Sequence, residues 1–410
     1  MDTKKTSFAL GYSLVFHSIL CYFIYGVLST SGMNVWNGAF STMYGWDVSV
    51  LLTMATIGSL IGVLGSILFG QLVAKRGARG IISITMILCG VAVMIFGIIK
   101  SIPMFLVCVA LFNFLGMGFC NVGSNAVIGN WFPRRKGFIL GITTMGLPAA
   151  SFIFVPILQV TIGSWGVKIA FLVIGGCIAL LGIISWFWVR NTPQEVGCLP
   201  DNGKFGDEAS IPVGQTSTWT IKRLLSSKNG WFISIAYGLL FVVTQGMVSQ
   251  TVVYLLQHGY EQPAAVSMLS IAAAVGIAGS FIWGILDDKL GTKTASVIYC
   301  CWYIVTFIIL AVATDRVFLT IGVVMLGASL GGIGNLMPSM IMTTFGVSEF
   351  ASVSRVVQTA VNTIRSFAFV VMALGLSLFG NYAKTSWILL GLTVVALLFI
   401  LGIKKEKTSN

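Results

Sequence analysis

Charge is scarce in this chain. Asp, Glu, Lys and Arg make up 9% of its 410 residues, where a soluble chain carries about 25%. With 57% of residues hydrophobic, that scarcity excludes a soluble globular enzyme and a disordered chain. Acids are scarcest. Asp2, Asp47, Glu195, Asp201, Asp207, Glu208, Glu261, Asp287, Asp288, Asp315, Glu349 and Glu406 all fall in loops or at the ends of apolar stretches. Histidine is limited to His17 and His258. No cysteine has metal-ligand spacing: Cys198 lies in a loop and the other seven in apolar stretches. Reduced packing thiols and no metal site are therefore expected. No Gly-rich loop ends in the Lys and Ser/Thr of a phosphate-binding loop. ATP is not expected to drive this protein, no cofactor is expected, and no nucleophile constellation points to an enzyme.

Apolar sequence fills the chain instead. Twelve runs can be marked, at roughly 11–40, 48–73, 81–99, 105–131, 137–163, 167–189, 230–257, 263–286, 294–313, 317–344, 353–379 and 383–403. Each approaches the roughly 20 residues that a bilayer-spanning helix needs. The first is too long for a signal peptide and has no clear cleavage site, so a retained helix is expected. It is also long for one span, which predicts a tilt or kink near Gly26 or Gly32. The one sizeable polar break, 190–229, reads as a linker. The expected organisation is a six-helix half over 1–190, a cytoplasmic linker over 191–229 and a second six-helix half over 230–410.

The formal net charge of +12 would suggest nucleic acid in a soluble protein. Here it follows the rule that short cytoplasmic loops of membrane proteins hold the basic residues. With the N-terminus inside, only Lys100, Lys168, Arg316 and Lys384 fall on outer segments and Arg365 falls within a run. All other Lys and Arg fall on inner ones. The asymmetry predicts a multi-pass protein of the inner or plasma membrane, with both termini cytoplasmic, a lipid bilayer as its surroundings and no nucleic-acid partner.

The two halves repeat at an offset of 214 residues. Gly45-Trp46-Asp47 matches Gly259-Tyr260-Glu261, and Gly58, Gly62, Ser66 and Gly70 match Ala272, Gly276, Ser280 and Gly284. Small residues four apart share one helix face and let backbones approach closely in lipid. The match continues through Gly77 to Gly291, Arg79 to Lys293 and Asn121 to Asn335. Parallel six-helix repeats with a midplane site between them are one of the arrangements known for transporters.

On these residues the chain resembles the major facilitator superfamily. Gly70-Gln71-Leu72-Val73-Ala74-Lys75-Arg76-Gly77-Ala78-Arg79 is similar to that superfamily's loop between helices 2 and 3, and Gly284 to Gly291 is its second copy, with Asp288 as the acid that Ala74 lacks. Three segments are similar to the oxalate/formate antiporter and monocarboxylate transporter branch. They are Asn130-Trp131-Phe132-Pro133-Arg134-Arg135-Lys136-Gly137, Thr192 to Asp201, and Asn335-Leu336-Met337-Pro338-Ser339 with Phe345-Gly346. The resemblance implies an all-α membrane protein of twelve transmembrane helices in two pseudo-symmetric halves, a monomer, and small organic anions as substrates. Oxalate-handling members carry a cation in helix 8, where this chain has Ser280; aromatic pocket positions are Asn121 and Gly334. A roomier, more polar site than a two-cation clamp is therefore implied.

Arg365 is the central candidate for substrate binding. It lies about a dozen residues into the eleventh run, near the expected midplane, where a charge is expensive and faces a cavity or a partner. No acid shares its depth, and a guanidinium matches a carboxylate bidentately. The missing partner is read as an anionic substrate; the competing reading is a structural Arg bonded to carbonyls or to a helix C-terminus. Gln358 and Asn362 share its helix face. In the superfamily, helices 1, 4, 7 and 10 line the cavity. That adds Asn34 and Asn37, Asn121 and Asn125, Gln245, and Asn335, each of which can equally act as interhelix glue. His17 is the one group of near-neutral pKa within a run and a candidate for proton coupling, with a satisfied structural role as its competitor. Asp288, Arg134 and Arg135 are candidate gating residues: Asp288 should approach the start of the fifth helix across the seam between halves.

The expected function is a secondary transporter moving a small organic anion, a monocarboxylate, by alternating access, as anion exchange or proton symport. The alternative is a proton-coupled exporter of drugs or sugars. Members of that kind usually carry an arginine in helix 4, where this chain has Asn113 and no charge. A nutrient sensor would need a soluble extension, and only short tails flank the runs.

Overall fold

The computed structural model describes residues 3–133, 136–203, 221–346 and 349–404, and among them the repeating elements are helices. In chain order the twelve spans are α1 (3–44), α2 (Val48–Arg76), α3 (Ala78–Phe96), α4 (Ile102–Trp131), α5 (136–165), α6 (167–188), α7 (Lys228–Gln257), α8 (Gln262–Leu290), α9 (Thr292–Val312), α10 (Arg316–Phe345), α11 (350–379) and α12 (Tyr382–Gly402). The stretch Val155–Trp188 is continuous except at Gly166, whose φ of 77° and ψ of 164° turn the chain and separate α5 from α6. Short 3-10 turns, Pro193–Val196 and Pro200–Gly203, follow α6.

Several spans are broken, in related places. In α1 a π-helical turn, Val27–Ser31, falls between Gly26 and Gly32. α4 carries one at Met117–Ser124 and α5 one at Ala150–Phe154. α10 breaks at Leu330 and Gly331 and α11 at Ser366 and Phe367. At the repeat offset, Gly331 corresponds to Met117 and Ser366 to Phe152, so the irregularities of α4 and α5 recur in α10 and α11. The turn glycines recur too. Gly45 and Gly259 have φ of 68° and 76°, Gly77 and Gly291 78° and 81°, Gly166 and Gly380 77° and 73°. Positive φ is the conformation only glycine adopts at no steric cost.

Packing divides the chain into two compact units. One comprises Met1–Ser29, Ile57–Ala150 and Ile157–Gln215; the other comprises Thr30–Thr56, Ser151–Pro156 and Thr216–Asn410. In the first, the α2 stripe packs on α4. A Cβ on Gly62 would lie 2.9 Å from Asn113 Cβ, and one on Gly65 2.6 Å from the Phe114 carbonyl. In the second, the α8 stripe packs on α10: a Cβ on Gly276 would lie 2.7 Å from the Gly327 carbonyl, one on Gly279 would collide with the Ala328 carbonyl, and one on Gly327 with that of Ala272. Gly58, Gly62 and Gly276 of the two stripes therefore sit at close helix approaches, with Gly65 and Gly279 beside them, whereas a Cβ on Gly70 would meet nothing within 4 Å.

Buried hydroxyls hold the second unit together as well. Tyr237 pairs with Ser296 at 2.7 Å, Thr244 with Tyr303 at 2.6 Å, and Tyr382 donates to Gln250 at 2.9 Å. Removed from water, such groups require partners.

The matched pair Arg79 and Lys293 has a structural role in each unit. Arg79 Nε donates to the Trp186 carbonyl at the end of α6, and Lys293 Nζ donates to the Leu401 and Ile403 carbonyls, 2.8 Å each, at the end of α12. Cations that satisfy the last carbonyls of a helix stabilise it by roughly 0.3–1 kcal/mol. Arg79→Met and Lys293→Met should each lower the apparent unfolding temperature of the purified protein by about 1–4 °C. Lys289→Met, at an exposed position, should leave it unchanged. Equal shifts for all three would remove the capping role.

Candidate functional site

Arg365 is the last residue of the first segment of α11, Phe350–Arg365, immediately before the break at Ser366 and Phe367. Its backbone therefore sits at a helix C-terminus, whose partial negative charge favours a cation. Its side chain turns toward α7. Nε donates to Gln245 Oε1, and the guanidinium carbon lies 5.4 Å from the Phe241 ring centroid. Phe241 and Gln245 are four residues apart on one face of α7. Glycines on either side let α11 come this close: a Cβ on Gly238 would lie 2.8 Å from Ile364 Cβ, and one on Gly246 3.1 Å from Met372 Cγ.

Among the described residues no carboxylate lies within salt-bridge distance of Arg365. The group is half-buried, held by one neutral acceptor, one aromatic face and the helix end. A cation on an aromatic face gains about 0.5–1 kcal/mol or more as water is removed. The arrangement fixes the guanidinium while leaving donors for a planar anion. Gln358 and Asn362, on the same face, are also half-buried. The Asn362 carbonyl accepts from Ser366 Oγ at 2.9 Å, at the break. Phe241 was not among the sequence candidates. Its position one turn before Gln245 is the signal that could have found it.

The remaining candidates have identifiable surroundings. Asn121 donates to Met117 Sδ at 3.5 Å within the π-helical part of α4, and Asn335 donates to the Ser280 carbonyl at 3.0 Å across the α8–α10 seam. Asn125 accepts from the Tyr22 hydroxyl at 2.9 Å. Asn34 is wholly engaged with backbone groups: it donates to the Ser31 and Val248 carbonyls, at 3.1 and 2.8 Å, and accepts from the Val252 N–H at 3.1 Å. Asn37, only 1% exposed, has neither amide atom hydrogen-bonded. His17 is buried with both ring nitrogens occupied, Nε2 at 2.7 Å from Ser185 Oγ and Nδ1 at 3.7 Å from Cys21 Sγ, and its ring stands edge-on to Trp188. Asp288 is exposed at the end of α8. Arg134 and Arg135 lie outside the described residues.

The sequence profile of the Major Facilitator Superfamily matches residues 18–369. The chain belongs to the major facilitator superfamily. Among curated proteins, monocarboxylate transporter 12 of Rattus norvegicus is 25% identical over 262 residues, covering 59% of this chain and 52% of the rat protein. A putative glycerol-3-phosphate transporter 1 of Arabidopsis thaliana is 25% identical over 299 residues, or 64% of this chain and 56% of the plant protein. The phosphoglycerate transporter protein of Salmonella typhimurium is 28% identical over 196 residues, covering 43% of this chain and 41% of its own. These matches span about half the length of each relative. The fold extends further. The inward-facing, occupied crystal structure of a bacterial homologue of the human lysosomal transporter Spinster superposes with a TM-score of 0.74 at 16% identity, covering 96% of both chains. As a superfamily member this chain is a multi-pass membrane protein of the twelve-helix, two-half architecture.

Proposed function

We propose that this transporter moves a small organic anion, a monocarboxylate, by alternating access, with Arg365 as the anchor of the anion. The observation that carries the reading is the absence of any carboxylate beside Arg365 among the described residues. An anion docking there would complete a charge-assisted, bidentate pair. Gln358, Asn362 and Gln245 would supply further polar contacts. The named relatives transport monocarboxylates or phosphate esters, and both classes are anions. Among the described residues the site around Arg365, Gln245 and Phe241 offers one cation, which suits one negative charge better than the two of a phosphate monoester and favours the carboxylate. We place both termini in the cytoplasm from the distribution of Lys and Arg, in the inner or plasma membrane, with the protein acting as a monomer.

Coupling follows from the same charge. When the cavity closes without substrate, Arg365 is left charged in a drier site, compensated only by Gln245, Phe241 and a helix end. Closing over a bound anion avoids that cost. Exchange of anion for anion should therefore run at least about tenfold faster than net uptake into vesicles without internal anion, since an uncompensated buried charge costs about 2–5 kcal/mol. Flux of a labelled monocarboxylate into proteoliposomes, with and without internal substrate, measures this. Equal rates would replace exchange by net transport, with the proton carried by the substrate or by His17.

A further inference from the structure

A two-bond polar contact outside the Arg365 site joins α1 to α7. In a helix the N–H of residue 252 pairs with the carbonyl of residue 248. The Asn34 amide spans this same rung of α7. Nδ2 donates to the Val248 carbonyl at 2.8 Å and Oδ1 accepts from the Val252 N–H at 3.1 Å. Residues 34 and 248 are 214 apart, the offset of the internal repeat, so the two helices meet at equivalent positions of the two halves. The segment of α1 that makes the contact begins at the π-helical turn Val27–Ser31, and it packs within the second compact unit. Ser31 adds a hydroxyl pair with Ser151, 2.7 Å long.

Three residues along the same face, Asn37 has the opposite character. It is 1% exposed, and neither its oxygen nor its nitrogen has a hydrogen-bond partner. A buried amide without partners opposes the conformation that buries it, because water satisfies it when the surfaces part. This stretch of α1 therefore carries an amide bonded to α7 and, three residues on, a buried amide with no partner.

We propose that Asn34 and Asn37 set, with opposite signs, the balance of a gate between residues 33–44 of α1 and α7. The inference rests on alternating access, in which the ends of the two halves part and rejoin in each cycle. Asn34 favours the joined state. Asn37 favours the parted state. Together they keep both states populated, so that the gate opens without a large barrier. A protein with an apolar residue at both positions would keep a similar balance while losing the specific register of the Asn34 contact.

The experiment is a pulsed electron-spin distance measurement on the full chain in lipid nanodiscs without substrate. Spin labels are placed at Met43→Cys and Ala264→Cys, both exposed positions, with the exposed Cys177 and Cys301 replaced by Ser. Asn34→Leu should raise the ratio of long to short distances by about fivefold or more, and Asn37→Leu should lower it by a similar factor, since removing a buried hydrogen bond and removing an unsatisfied amide act in opposite directions. The double substitution should return the ratio toward wild type. Shifts of the same sign, or none, overturn the proposal. If Asn34→Leu does not fold, Asn34→Ser, which shortens the side chain and cannot span the rung, replaces it with the same expectation. Anion exchange measured on the same variants in proteoliposomes separates the two readings. Opposed distance shifts without anion exchange leave the gate and remove the proposed substrate; exchange with unopposed shifts does the reverse.

Discussion

Arg365→Gln is expected to reduce anion exchange by about hundredfold or more while leaving the protein folded. Removing one member of a desolvated charge pair costs about 2–5 kcal/mol in binding. Glutamine keeps a polar, uncharged side chain at the helix break, so the loss isolates the charge. The fold should tolerate it because no carboxylate among the described residues depends on Arg365. Arg365→Lys should recover only part of the rate. Lysine keeps the charge but offers no planar fork, and its ammonium cannot donate to Gln245 from the Nε position while two further N–H groups face the substrate. Labelled-anion exchange in proteoliposomes reads the rates, and thermal unfolding of the same proteins reads the fold.

The second large effect concerns the α8–α10 seam. A Cβ on Gly327 would collide with the Ala272 carbonyl, and one on Gly279 with the Ala328 carbonyl. Both obstacles are backbone atoms of a packed helix, so neither can rotate away. Gly327→Ala should lower the apparent unfolding temperature by about 3–10 °C, from an overpacking cost of about 1–3 kcal/mol. Gly327→Leu should yield no monodisperse protein. Gly163→Ala and Gly391→Ala, where nothing lies within 4 Å of the added Cβ, should be near neutral or slightly stabilising through helix propensity. Size-exclusion profiles and melting curves of the four variants in detergent give the comparison. Wild-type stability in Gly327→Ala would mean that the helices are not held at this distance.

The seams and turns were legible because their cause is local. The four-residue spacing of small side chains puts them on one face whatever the partner, and the partners proved to be α4 and α10. The glycines at 45, 259, 77 and 291 repeat at one offset in the sequence and share positive φ in the structure. Arg365 was legible for a different reason: a charge in an apolar run has few physical explanations. The break beside it was not. Ile364, Arg365, Ser366 and Phe367 include neither glycine nor proline, so the interruption of α11 has no marker in composition. The two readings of Arg365 offered by the sequence, helix-end cation and anion ligand, are compatible, because the helix end compensates the charge when no anion is present. Asn34 illustrates a deeper limit. Its partners are main-chain atoms of Val248 and Val252, and no side-chain pattern names a backbone rung. Asn121 and Asn335 match in the sequence yet differ in their bonds, one local and one across a seam, since equivalent positions need not meet equivalent neighbours.

The central claim is that an organic anion binds at Arg365. Ligands that bind only the folded protein raise its apparent stability, so the direct measurement is a thermal-shift titration of purified wild type and Arg365→Gln. The panel contains small monocarboxylates, dicarboxylates, phosphate monoesters, and neutral and cationic compounds. The account predicts that a monocarboxylate stabilises the wild type, that the shift is lost in Arg365→Gln, and that phosphate esters act more weakly. Stabilisation of both proteins by neutral or cationic compounds, with no response to anions, would contradict it and favour an exporter in which Arg365 only ends a helix.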